Sequence, residues 1–444
     1  MENQTINSLR AELATLRVVQ ELGKVVSVEG SLLRVGGLGE AASIGDVLQV
    51  WLRDGRSILG EVIQLHGTDM TMLPDTQPDG VSIGDRVALR DHMGIAPANS
   101  WIGRVIDPYG NPLDGKPLLR GPEMRSLKND PPAPAERRAM GKRLETGMST
   151  FNTLLPIVQG QRLGLFAGSG VGKTSLMGKF ACQLQADVAV IALVGERGRE
   201  LREFVENVLG LEGLARSIVV AATSDQSPLV RRRCALAAMS VAEHFRDQGK
   251  HVLFLADSIT RFAEAHREVA VASGEMPALR GYPPSTAHMI MSLCERAGPG
   301  CDGQGDITGI FSVLVAGSDM DEPIADILRG VLDGHVVLDR KIAERGRFPA
   351  VDLLRSVSRS LPAAATSGEN LLIGEARRLL GAYEQSATMI RAGLYTEGTD
   401  PVLDIAIRAW PEIDAYLGDQ GAPSVETSFA KLNLLLRRAG AKTM

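Results

Sequence analysis

The stretch LFAGSGVGKTSL, residues 165–176, constrains the fold of this chain more than any other. Ahead of it, Arg162 to Ala167 is nearly all apolar, the composition of a strand buried on both faces. From Lys173 onward the residues favour helix. Glycines between the two leave backbone N–H groups bare at a helix start, where the dipole favours negative charge. A strand feeding a helix in this way belongs to a layered α/β core. Residues 167–174 match the phosphate-cradling pattern G-x-x-x-x-G-K-[ST] except at its first position, which is Ala167. A methyl group is tolerated there at negative φ, and Gly168 and Gly170 still let the backbone close on phosphate. The nucleotide-binding set read from this loop is Ala167, Gly168, Ser169, Gly170, Val171, Gly172, Lys173, Thr174 and Ser175. In such a loop Lys173 reaches the β and γ phosphates of ATP, and the Thr174 hydroxyl ligates Mg²⁺.

Residues 150–340 alternate apolar runs with helical patterns, which predicts a mostly parallel sheet covered on both faces. The strand candidates are QRLGLFA, DVAVIALVG, SIVVAAT, HVLFLAD, GIFSVLVAG and HVVLD. Two of these regions supply carboxylates. HVLFLADS supplies Asp257 after its apolar run, a candidate Mg²⁺ ligand through water, and DVAVIALVGERGRE places Glu196 where it can polarise an attacking water. A glutamate at a helix start also suits the macrodipole, so the catalytic reading of Glu196 rests on the whole constellation. Arg197, Arg261 and Arg359 follow strand ends or turns and are expected near the site as cations for the developing charge. The run Arg231-Arg232-Arg233 reads as a solvated or subunit-facing helix start without a catalytic role.

The remainder divides by pattern. Residues 18–90 hold short β-rich segments, GKVVSVEGSLLRVGG, DVLQVWLRDG, SILGEVIQLHG and GDRVALR, which predict a small closed barrel. GRVIDPYGNPLDGKP reads as turns, and NDPPAPAERR as a connector wrapped over a surface. After Gly368 the pattern is helical to the end. At the start, Ile6, Leu9, Leu13 and Leu16 form one apolar stripe. It suits packing on its own domain or docking a partner, and the terminal position favours docking. The expected parts are a docking helix at 1–18, a barrel at 19–92, an ATPase domain at 93–367 and a helical domain at 368–444.

Composition narrows the function classes. With 444 residues there is ample chain for a large core, and 4% aromatic residues offer few platforms for stacking bases. A net charge of −5 leaves no basic footprint for nucleic acid. No apolar run reaches membrane-spanning length, and four scattered cysteines suit reduced thiols, so a soluble cytoplasmic protein is expected.

Five motifs in order, FAGSGVGKT, GERGRE, FLADSITRFA, GYPPS and RFPAVDLLRSVSR, resemble the ATPases related to the catalytic subunits of rotary ATP synthases. Within that superfamily the chain is most similar to the type III protein export ATPases, in particular the flagellar branch. Alanine at the first loop position, DEPIADILRGVLDGHVVLDR and GLYTEGTDPVLDIAI carry that likeness. The resemblance implies Lys173 and Thr174 for phosphate and Mg²⁺, Glu196 for water activation, and Asp257 for the metal. It implies Arg197 and Arg261 near the γ-phosphate, Arg359 as a finger donated to a neighbouring subunit, and Phe348 as the aromatic packing on adenine. In VLVAGSDMDEP, Ala316 and Ser318 replace the acidic residues usual in the family, while Asp319 and Glu322 persist.

A homohexameric, Mg²⁺-dependent ATPase is implied, peripheral at the cytoplasmic face of an export apparatus. Its implied partners are a stalk-type regulator at the N-terminal helix, the export gate, chaperones and exported flagellar proteins, with no nucleic acid and no membrane span. Four other readings fit less well. A virulence-type secretion ATPase shares the motifs, a rotary catalytic subunit should carry an acidic C-terminal run, and a ring-shaped RNA translocase should have a basic, aromatic barrel. A subunit that binds nucleotide only for structure should have lost Glu196.

Overall fold

Alternation of apolar and polar residues builds the first part of the chain. The structure, a computed structural model, describes residues 21–90, 94–315 and 320–441. The expected N-terminal docking helix and the altered 316–318 loop with Asp319 lie outside these residues. Strands β1 (Leu22–Glu29), β2 (Leu32–Gly36), β3 (Val47–Trp51), β4 (Ser57–His66), β5 (Asp69–Pro74) and β6 (Arg86–Arg90) close an antiparallel barrel in the order β1-β2-β5-β4-β3-β6. In β3, Leu48 and Val50 point inward while Val47, Gln49 and Trp51 are half-buried. Val25, Leu33, Val35, Val62, Met70, Met72 and Val87 complete the barrel core.

The barrel contains more strands than the sequence pattern suggests. GKVVSVEGSLLRVGG is a hairpin, turned at Gly30 with φ 64°, rather than one strand. DMTMLP forms β5 because its two methionines alternate into the interior.

The core sheet comprises β7 (Arg104–Ile106), β8 (Arg162–Ala167), β9 (Val188–Glu196), β10 (Ser217–Thr223), β11 (Val252–Asp257), β12 (Gly298–Pro299), β13 (Asp306–Leu314), β14 (Gly334–Leu338) and β15 (Val351–Ser358). Its order is β15-β14-β8-β13-β11-β9-β10-β7, with β12 paired beside β13. Neighbours from β14 to β7 are parallel, and β15 runs antiparallel at the edge. Strand β7 falls in the segment read as turns, where three residues suffice to pair with β10. Buried Val, Ile, Leu and Phe cover both faces of the sheet.

Flanking helices follow the sequence closely. The helix expected over RELREFVENVLG loosens into wider π-type turns at Phe204–Leu209, breaks at Gly210 with φ 61°, and is followed by a further helix to Ala215. Helices Ser367–Arg391, Pro401–Leu417 and Val425–Arg438 are N-capped by Thr366, Asp400 and Ser424. The proline-rich connector lies along the core, where Asn129 donates to Glu243 at 2.8 Å and Arg138 to Asp306 at 2.6 Å.

The arginine run at the start of helix Pro228–Asp247 is not solvated, contrary to the sequence expectation. The barrel docks there. Arg231 donates to Glu268 at 3.0 Å and Arg232 to Glu61 of β4 at 2.6 Å. The Arg233 guanidinium lies 4.6 Å from the centre of the Tyr109 ring, and the Tyr109 hydroxyl donates to Asp75 at 3.1 Å. Ile63 and Leu73 of the barrel pack on Leu229 and Val269 beside these pairs.

Candidate active site

A parallel sheet gathers its chemistry at the carboxyl ends of its strands. Here β8 ends at Ala167 and passes through the glycine loop into helix Lys173–Gln183. Gly172 caps that helix in the left-handed region at φ 82°, and a Cβ there would meet Phe348 Cδ1 at 3.0 Å. Glycine is thus required both by the backbone and by the ring packed against it. Phe348 is 45% exposed, leaving much of its surface open beside the loop.

A cleft of about 1070 Å³ opens over the loop. Ala167, Gly168, Ser169, Gly170, Gly172, Lys173 and Thr174 form one wall, and Glu196, Arg197 and Arg261 also line it. Val171 is buried in the core and anchors the loop from beneath. A second cavity of about 210 Å³ continues behind the loop, bounded by Thr174, Ser175, Glu196 and Asp257.

Asp257, at the end of β11, is 4% exposed. Its Oδ1 accepts from the Lys173 ammonium and, at 2.7 Å, from the Ser312 hydroxyl. Glu196 ends β9, next to β11 in the sheet. Burial pushes its carboxyl up to about 7, and the negative Asp257 adds to the shift while Lys173 opposes it. A carboxyl tuned to that range can accept a proton from water near neutral pH. Arg197 is paired with Glu200 at 3.3 Å and Arg261 with Glu264 at 3.1 Å, both at the open side of the cleft.

The oxygen donors fit Mg²⁺. Among the described residues no group of three or more His, Cys, Asp or Glu is placed to hold a metal ion. Thr174 and Asp257 therefore offer one hydroxyl and one carboxylate rather than a cage, the pattern of an ion held mainly by substrate phosphates and water.

Arg359, expected near the site and, by resemblance, as a finger donated to a neighbouring subunit, stands away from the cleft of its own chain. Strand β15 ends at Ser358 opposite Gly334, at the amino end of β14, whereas the loop follows the carboxyl end of β8. The antiparallel direction of β15 causes the displacement. It puts Arg359 about 13 Å down the sheet and about 10 Å across it from the loop. The Arg359 guanidinium donates to the Arg329 carbonyl at 3.0 Å.

Sequence reasoning passed over other residues at the site. Glu264, Arg267, Arg280 and Tyr282 line the cleft, and Ser312 contacts Asp257 from an apolar run. GYPPS contains Tyr282, so a motif was present there without a role attached to it.

Residues 147–358 match the nucleotide-binding domain of the ATP synthase alpha/beta family, and residues 366–433 the T3SS EscN ATPase C-terminal domain. The flagellum-specific ATP synthase of Caulobacter vibrioides is 41% identical over 441 residues, covering 97% of this chain and 99% of the relative. The chain belongs to the flagellum-specific ATP synthase family. Another member, from Salmonella typhimurium, is 40% identical, covering 93% of this chain and 92% of its own. The assembled ATPase EscN with its central stalk EscO, from the type III secretion system of enteropathogenic E. coli, superposes with a TM-score of 0.85. The two sequences are 36% identical, over 93% of this chain and 100% of that one. Membership makes this chain an ATPase of the type III secretion class, as its five motifs imply. Among the described residues no helix is long and apolar enough to cross a membrane.

Proposed function

We propose that this flagellum-specific ATP synthase family member hydrolyses ATP with Mg²⁺ at sites shared between neighbouring copies in a homohexamer. The hydrolysis energises or assists export of flagellar proteins through a type III apparatus, including chaperone release and substrate unfolding. The observation that carries the shared site is the separation of Arg359 from its own chain's loop, with Glu196, Lys173 and Asp257 gathered at that loop.

In this reading the loop N–H groups of residues 167–175 bind the phosphates, and Lys173 moves from Asp257 to the β and γ phosphates. Thr174 would hold Mg²⁺ directly and Asp257 through water, and the ion would supply neutralisation of phosphate charge. Glu196 takes the proton from the attacking water. Arg197 and Arg261 turn toward the γ-phosphate, and Phe348 packs on adenine. A neighbour's Arg359 completes the site. The barrel at 19–92 and the domains at 93–367 and 368–444 serve ring formation, chemistry and export contacts.

The chain works in the cytoplasm, peripheral to the export gate, with residues 1–18 docking a stalk-type regulator. The structural relative bound to its central stalk supports a stalk partner. The same likeness keeps a virulence-type secretion apparatus as the second reading. Removal of residues 1–18 is expected to abolish regulator binding and spare basal hydrolysis; retained binding refutes the docking role.

The test of the shared site is ATP hydrolysis against protein concentration, for wild type, Glu196→Gln and Arg359→Ala. Specific activity should climb with concentration in the wild type and be lost in both variants. Activity independent of concentration and insensitive to Arg359→Ala means a site complete within one chain.

A further inference from the structure

Ser312 sits on β13, the strand between β8, which carries the phosphate loop, and β11, which carries Asp257. In register it pairs with Leu165 of β8, and its predecessor Phe311 pairs with Ala256. Its neighbours in the sequence GIFSVL are apolar, and Ser312 itself is fully buried. A hydroxyl placed there costs free energy unless it is hydrogen-bonded. Its hydrogen bond goes to Asp257 Oδ1, at 2.7 Å. Lys173 donates to the same oxygen. Among the described residues no hydrogen bond reaches Oδ2, so both donors fix the carboxylate from one side.

We propose that Ser312 is a positioning residue for the metal-binding carboxylate, holding Asp257 in place when Lys173 leaves it for the nucleotide. The proposal rests on the reading of Asp257 as the metal-side carboxylate. With Lys173 drawn to the phosphates, Asp257 keeps one fixed donor instead of none. A buried carboxylate without a donor is free to rotate, and its hold on the hydrated ion weakens. Hydrogen-bond partners of metal-binding groups commonly set affinity in this way. Threonine preserves the hydroxyl, whereas valine copies the shape of threonine and removes it.

The test measures Mn²⁺ retained with ADP by the full chain, from the paramagnetic resonance signal of free Mn²⁺, in wild type, Ser312→Val, Ser312→Thr and Asp257→Asn. ADP binding in the presence of a chelator is measured alongside. The expected result is Mn²⁺ affinity weakened roughly tenfold in Ser312→Val, retained in Ser312→Thr, and unchanged metal-free ADP binding in both. Wild-type Mn²⁺ affinity in Ser312→Val overturns the proposal. So does a parallel loss of metal-free ADP binding, which marks a packing defect. Undiminished Mn²⁺ binding in Asp257→Asn removes the underlying reading of Asp257, and the role of Ser312 falls with it.

Discussion

Two inactive chains should make an active ring. Glu196→Gln removes the proton acceptor from a chain's own cleft, and Arg359→Ala removes the cation that the chain lends to its neighbour. An arginine finger contributes about 10³ to 10⁵ in rate, so each variant alone should be nearly silent. Arg359 sits at the amino end of the sheet and the loop at the carboxyl end, so in the proposed ring each site would draw Glu196 and Arg359 from different chains. In a randomly mixed ring a site is intact when a chain with Glu196 sits beside a neighbour with Arg359. At equal mixing that holds for about one site in four. Turnover plotted against mixing fraction should follow the product of the two fractions, vanishing at both ends. The assay is phosphate release from mixtures pre-assembled at high total concentration, with ring formation checked by light scattering. Mixed rings with no recovery at any ratio refute the shared site, as does Arg359→Ala with wild-type turnover.

Glu196 also sets a pH dependence. Its carboxyl is raised to about 7, so kcat/KM should fall about tenfold per pH unit below that point, measured at saturating Mg²⁺. The same shift acts on folding: stability from this group is full below the ordinary 4.5 and is lost as pH rises through about 7. Glu196→Gln should therefore raise the melting temperature more at pH 8 than at pH 5. Arg296 and Glu243 form an ion pair at 2.7 Å with both side chains 2% exposed. Arg296→Ala leaves a buried carboxylate unpaired and should cost about 3–5 kcal/mol in urea unfolding, and adding Glu243→Leu should recover part of it. A Cβ on Gly178 would lie 2.1 Å from Val208 Cγ1, so Gly178→Ala should cost about 1–3 kcal/mol, with recovery in the double variant carrying Val208→Ala.

What the sequence makes legible is what depends on near neighbours. The loop at 167–175 is readable because strand, glycines, lysine and threonine are contiguous, and the core strands are readable because their apolar runs are long. Strand β5 escapes notice because DMTMLP is short and carries Asp, Thr and Pro, and becomes a strand only by pairing with β2 and β4. Ser312 is invisible for a related reason. Its partner Asp257 lies 55 residues away, and only the sheet order brings them together. The arginine run misleads because a charge cluster on a helix start is ordinarily solvated; here the barrel supplies Glu61 and the burial. The position of Arg359 turns on strand direction, which no local pattern records.

That arginine run has a mechanical consequence. Arg231 holds Glu268 and lies against Gly195, the residue before Glu196. Arg232 holds the barrel through Glu61, and Arg233 stacks on Tyr109, whose hydroxyl reaches Asp75 of the barrel. One helical turn is thus gripped on both sides with no spacer between the grips. The barrel and the end of β9 therefore bear on the same turn of helix.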